Sequence, residues 1–161
     1  MTPLAEFLQT NEEKLREDEK QRAARRAEWV GAVDRLLRQI EEWVRDADPK
    51  NLLHVERTVQ EHREAGLGYY QVPALLVRFG TTRVEITPWA RNVAGRLEVD
   101  ESGKEHRIEG AIHLAEGGEK YTIYRVILDG REDWRLAPPM SLKTAPLTRQ
   151  GFEAALLRLI K

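Results

Sequence analysis

The first 46 residues limit the fold more than any other part of the chain. From Pro3 to Asp46 there is one glycine, Gly31, and no proline after position 3, while Glu, Arg, Leu and Ala dominate. These are strong helix formers. Thr2-Pro3 is a helix-start signature. The hydroxyl caps the free N–H groups, and proline at the first helical position loses nothing by lacking one. Asp48-Pro49 turns the backbone away from the α region, so the helix should end near Asp46. A second start of capping-box form lies at Thr10-Asn11-Glu12-Glu13. Residues 3–9 are therefore either a separate short helix or the first turns of one long one. A continuous helix over 3–46 would be about 65 Å long, roughly twice the width of a small domain.

The helix changes character halfway. Residues 9–22 contain a single aliphatic side chain, Leu15. From Ala27 a stripe runs through Val30, Val33, Leu37, Ile40 and Val44, with Trp29, Leu36 and Trp43 beside it at sevenfold spacing. That face is broader than a coiled-coil seam. It can cover the domain that follows, associate with another helix, or do both. On the association reading, Trp29, Val33, Leu36, Leu37, Ile40 and Trp43 are the partner-binding residues. Carboxylates stand four residues before arginines at Glu12/Arg16, Asp18/Arg22, Asp34/Arg38 and Glu41/Arg45, which supports a solvated helix by about 0.3 kcal/mol per pair.

The rest reads mainly as strands separated by glycine turns. Leu75–Phe79 and Val84–Thr87 form a hairpin around Gly80-Thr81-Thr82. Arg96–Asp100 and Lys104–Leu114 form a second around Glu101-Ser102-Gly103, with a bulge expected at Gly110. Tyr121–Leu128 is apolar on both faces, as in a central strand, and turns at Asp129-Gly130 into Asp133–Ala137. Residues 52–64 fit either a helix or a strand with one wet face; the alternation His54, Glu56, Thr58, Gln60, His62 favours the strand. Thr148 caps a final helix, 149–160, whose buried stripe is Phe152, Ala155, Leu156, Leu159 and Ile160. The expected fold is α+β: a long N-terminal helix, an antiparallel sheet or small curled β-barrel of six to seven strands, and a C-terminal helix. Residues 1–48 are a charged helical extension and 49–161 the β-rich domain.

Composition removes several functions. The 161 residues include no cysteine, so thiolate metal sites and thiol nucleophiles are absent. Twenty-six basic residues nearly balance 27 acidic ones, which argues against a strongly basic nucleic-acid binder. The N-terminus lacks a secretory pattern, and no run approaches a membrane span; a soluble cytoplasmic chain is expected. Gly66-Leu67-Gly68 leads into a strand rather than a helix, so it is no phosphate loop. His54, His62, His106 and His113 are too widely spaced for a zinc set. Ser102 and Ser141 lack a nucleophile-elbow context. Glu12-Glu13, Glu41-Glu42 and Glu132-Asp133 read as solvated pairs rather than glycosidase carboxylates. No catalytic residue, cofactor or metal is expected.

What remains is binding. Trp89 follows Pro88 at a strand end and precedes Arg91 and Asn92. With Tyr69, Tyr70 and Met140 these residues form the candidate recognition surface. Arg22, Arg25 and Arg26 are candidate nucleic-acid contacts, alongside arginines and aromatics on the strands. The favoured expectation is a non-enzymatic assembly module, an accessory or regulatory subunit of a larger bacterial complex, with its helix mediating association with itself or a protein partner and a homo-oligomer expected. The alternative is a nucleic-acid or small-ligand sensor using the Arg and aromatic positions of the sheet.

Overall fold

The computed structural model describes residues 1–99 and 102–161. One uninterrupted helix, α1 (Pro3–Ala47), opens the chain. Thr2 caps it by accepting from the Ala5 N–H at 3.2 Å. The second start at Thr10 is not used. Thr10 Oγ1 donates to the Glu6 carbonyl and Asn11 Nδ2 to the Phe7 carbonyl, both at 2.8 Å. These side chains bond backward within the helix instead of capping a new one. Of the expected i,i+4 pairs, Glu12–Arg16 and Asp34–Arg38 form. Arg22 turns to Glu19 and Glu41 to Arg57.

Nine strands follow among the described residues: β1 (His54–Glu64), β2 (Gly68–Phe79), β3 (Thr82–Ala90), β4 (Arg96–Glu98), β5 (Glu105–Arg107), β6 (Ala111–Glu116), β7 (Glu119–Leu128), β8 (Arg131–Ala137) and β9 (Ala145–Pro146). Helix α2 (Arg149–Ile160) closes the chain, capped by Thr148 Oγ1 on the Gly151 N–H. Seven strands form one antiparallel sheet in the order β1-β2-β3-β6-β7-β8-β9, with β4 and β5 as a separate pair. The sheet is open rather than a curled barrel, because β1 and β9 end it without pairing. Residues 54–64 are a strand, as their alternation indicates, matched to β2 from His54↔Arg78 to Glu64↔Gly68. β7 lies inside the sheet between β6 and β8.

Two helices cover one face. Trp29, Val33, Leu36, Leu37, Ile40 and Val44 of α1 and Phe152, Ala155, Leu156 and Leu159 of α2 are buried with Val72, Leu75, Val77, Val84, Ile86, Ile112, Leu114 and Ile123. Trp43 is half-buried, its ring 5.8 Å from Phe152. This corrects the assignment of Trp29, Val33, Leu36, Leu37, Ile40 and Trp43 to a partner. Their face is spent on the chain's own sheet, where each large apolar side chain gains about 1.5–3 kcal/mol over exposure. Polar struts fix the helix: Arg57 of β1 pairs with Asp34 and Glu41, both at 2.7 Å. Buried Arg125 of β7 bonds Glu132 at 2.7 Å and reaches Glu28 of α1.

The opposite face has a smaller core. Ala111, Tyr124, Val126 and Ala137 lie against Leu97 of β4 and Ile108, the residue that follows β5. The expected strand 104–114 breaks at 108–110, where Gly110 has φ +147°. The bulge expected at Gly110 is present: Glu109 and Gly110 together bond the single residue Arg125, the Glu109 N–H to its carbonyl at 2.7 Å and the Arg125 N–H to the Gly110 carbonyl at 2.8 Å. A second irregularity falls on the neighbouring strand, between Pro88 and Ala90, where Trp89 is the extra residue. The hairpin β4–β5 is present; the Asp100 and Glu101 portion of its turn lies outside the described residues.

Candidate functional site

The helix outruns the body it covers. Among the described residues, the first bond from α1 to the rest of the chain is Arg26 Nη1 to the Leu67 carbonyl in the β1–β2 turn, at 2.6 Å. Residues 3–25 therefore project for about 34 Å. Along that length Leu4, Phe7, Leu8 and Leu15 are 67, 63, 49 and 55% exposed. Eighteen residues make five turns, so Leu15 shares a face with Val33. Likewise, thirty-six make ten, aligning Leu4 with Ile40 and Leu8 with Val44. The exposed leucines continue the same stripe that lies on the sheet, but with nothing beneath them.

The basic cluster at the root of this projection is largely neutralised. Arg22 and Arg26 both bond Glu19, at 2.9 and 2.8 Å. Hydrogen bonds from Arg26 and then Arg22 hold the Glu19 carboxyl below its ordinary range. Arg25 alone of the three makes no ion pair among the described residues. Arg26 acts as a strut to Leu67 rather than as a free cation.

The proposed recognition residues divide into separate places. Glu64, at the end of β1, accepts from the Tyr70 hydroxyl and from the backbone N–H groups of Arg91 at 3.0 Å and Asn92 at 2.9 Å. Asn92 Nδ2 donates to the Ala65 carbonyl at 2.7 Å, and Arg91 pairs with Glu109 at 2.8 Å. This network pins the segment after β3 to the β1–β2 turn. Tyr70 is buried within it, so it cannot belong to an exposed surface. Burial first, and the Glu64 contact second, raise its phenol well above the usual value. Tyr69 points to the wet side, with the Arg63 guanidinium 5.0 Å from its ring centre. Trp89 is half exposed and stacks on His113 at 4.9 Å. Burial, with a smaller contribution from Lys120, pushes the His113 imidazole down to about 4. Met140 is exposed in the loop after β8, three strands away from β3 in sheet order. The structure thus joins Tyr70, Arg91 and Asn92 and leaves Tyr69, Trp89 and Met140 apart.

Glu64 was not legible as a hub, since its partners lie up to 28 residues away. The exposed trio Leu4, Phe7 and Leu8 was legible as a pattern, at i, i+3 and i+4, but its solvent exposure was not. Among the described residues no group of three or more His, Asp or Glu could hold a metal ion, and no helix is long and apolar enough to cross a membrane. No family model, curated protein or solved structure matches the chain.

Proposed function

We propose that the protein is a non-enzymatic association module whose projecting helix pairs antiparallel with the same segment of a second copy. The observation that carries this is the overhang. Residues 3–25 of α1 leave the body with Leu4, Phe7, Leu8 and Leu15 uncovered. Burying these side chains on both copies is the available source of affinity.

Geometry and charge select the orientation. The exposed stripe lies on the same helix face as the sheet. A parallel partner placed along it would run into that sheet, whereas an antiparallel partner needs only the length of the overhang and keeps its own body beyond the far tip. Residues 3–19 carry a net charge of −4, and residues 20–26 carry +4 with no acidic residue. Antiparallel pairing about residue 14 sets residues 3–13, of net charge −3, beside the partner's residues 15–25, of net charge +1; parallel pairing would oppose like charges. Only four large apolar side chains per copy take part, against an association cost of at least about 4 kcal/mol, so the dimer is weak and sensitive to concentration and salt.

Light scattering on the full chain tests this. The mass should rise from 18.6 kDa towards twice that value as protein concentration increases, and fall back in high salt. The L8E/L15E variant, altered only at exposed positions, should remain a folded monomer. A wild-type chain that stays monomeric up to about 1 mM protein, or a variant that dimerises equally well, would overturn the proposal.

A further inference from the structure

We propose that the cleft between the segment following β3 and the β4–β5 pair binds a compact dianionic phosphate group, carried by a small molecule. The cleft has a volume of about 730 Å³ and is lined by Arg91, Val93, Ala94, Gly95, Arg96 and Arg107, among others. This inference does not depend on the association of α1.

The strand register provides the first argument. Arg96 and Arg107 stand directly opposite one another on β4 and β5. Like charges in that position repel, and neither arginine has an ion pair among the described residues. Arg91, on the same wall, has its charge offset by Glu109. The cleft therefore presents two guanidinium groups that no ion pair among the described residues occupies, the number that would balance one phosphate dianion. Guanidinium groups present paired N–H donors that suit phosphate oxygens.

The backbone provides the second. Among the described residues the N–H groups of Val93, Ala94 and Gly95 make no backbone hydrogen bond, although the Gly95 carbonyl accepts from Ile108 at 3.2 Å. Successive free N–H groups beside arginines are anion donors. They do not compete with secondary structure, because this segment lies outside the strands.

Charge on either side limits the size of the ligand. Two residues beyond the arginines, Glu98 and Glu105 also stand directly opposite one another. A long polyanion leaving the cleft along the pair would meet this acidic couple. The positive region is thus a spot rather than a track, and a track is what nucleic acids need.

The test is titration of the ¹⁵N-labelled full chain with inorganic phosphate, pyrophosphate and a short oligothymidylate, at ionic strength matched with sodium chloride. The expected result is saturable shifts of the Val93–Arg96 and Arg107 amides with phosphate or pyrophosphate, weakened at least tenfold in R96Q/R107Q. In the absence of phosphate that variant should unfold at a higher temperature than wild type, because the repulsion is gone; phosphate should raise the midpoint of wild type alone. Non-saturating shifts equal to those from chloride, saturable shifts unchanged in R96Q/R107Q, or tighter binding of the oligothymidylate than of pyrophosphate would each overturn the proposal.

Discussion

Replacing Gly110 with alanine tests how α1 is seated. Gly110 has φ +147°, a conformation that residues with a side chain rarely adopt. Its Cα lies beneath Trp29, the largest fully buried side chain on α1. A Cβ added there would fall 2.5 Å from Trp29 Cη2, closer still to Cζ3, and 3.1 Å from Cε3. The backbone strain costs about 1–3 kcal/mol, and overpacking a buried ring costs about 1–3 kcal/mol more. The expected loss is thus about 4 kcal/mol, a large part of the roughly 5–15 kcal/mol that holds a domain together. Gly117→Ala is the control, since Gly117 also has positive φ but has no atom within 4 Å of the added carbon. Its cost is strain alone, about 1 kcal/mol. Urea unfolding followed by tryptophan fluorescence measures both. With a slope of about 1–3 kcal/mol per molar urea, the G110A midpoint should fall by roughly 1–4 M and clearly below that of G117A. A G110A midpoint within about 0.5 M of G117A would mean that Trp29 is not packed on Gly110 and that the docking described above is wrong.

Two further substitutions probe other parts of the structure. Glu64→Ala strands the Tyr70 hydroxyl and two backbone N–H groups; about 2–3 kcal/mol of stability should be lost, with faster hydrogen exchange at Arg91 and Asn92, and unchanged exchange there would refute the hub. His113 sets a pH dependence. Burial and then Lys120 lower its pKa from 6.5 to about 4 in the folded chain, so the unfolded chain takes up a proton first. Stability should be complete above pH 6.5 and decline between pH 6.5 and 4, by about 2 kcal/mol once partial solvent access is allowed for. His113→Gln should flatten that decline, and an unaltered slope would assign it to other groups.

What could be read from the chain followed the range of the forces involved. The helix start at Thr2, the strand at 54–64, the central position of β7 and the Thr148 cap depend on neighbours close in sequence, and all are present. The absence of a break at Thr10 depends on two side chains bonding backward, an equally local option that the capping-box pattern obscured. Long-range matters were hidden. Whether the stripe from Trp29 to Trp43 faced a sheet or a partner depends on what lies across from it, and the chain's own sheet occupies it. The bulge at Gly110 is present opposite Arg125, but the further irregularity at Trp89 was hidden because it belongs to the pairing of β3 with β6, not to either strand alone. Tyr69 and Tyr70 looked alike in sequence, yet adjacent strand residues face opposite ways, and only Tyr69 is exposed.

The antiparallel pairing of two projecting helices is tested most directly by distances between spin labels. The chain has no cysteine, so Glu13→Cys and Ala24→Cys can each be labelled singly in the full chain, both at exposed positions away from the stripe. In an antiparallel pair centred near residue 14, the two labels at position 13 are offset by under about 5 Å along the axis, and those at position 24 by about 30 Å. The separation at position 24 should therefore exceed that at position 13 by about 10–20 Å once the lateral spacing of the helices and the outward reach of the labels are included. Equal separations at the two positions, or no dipolar coupling at any protein concentration, would contradict it.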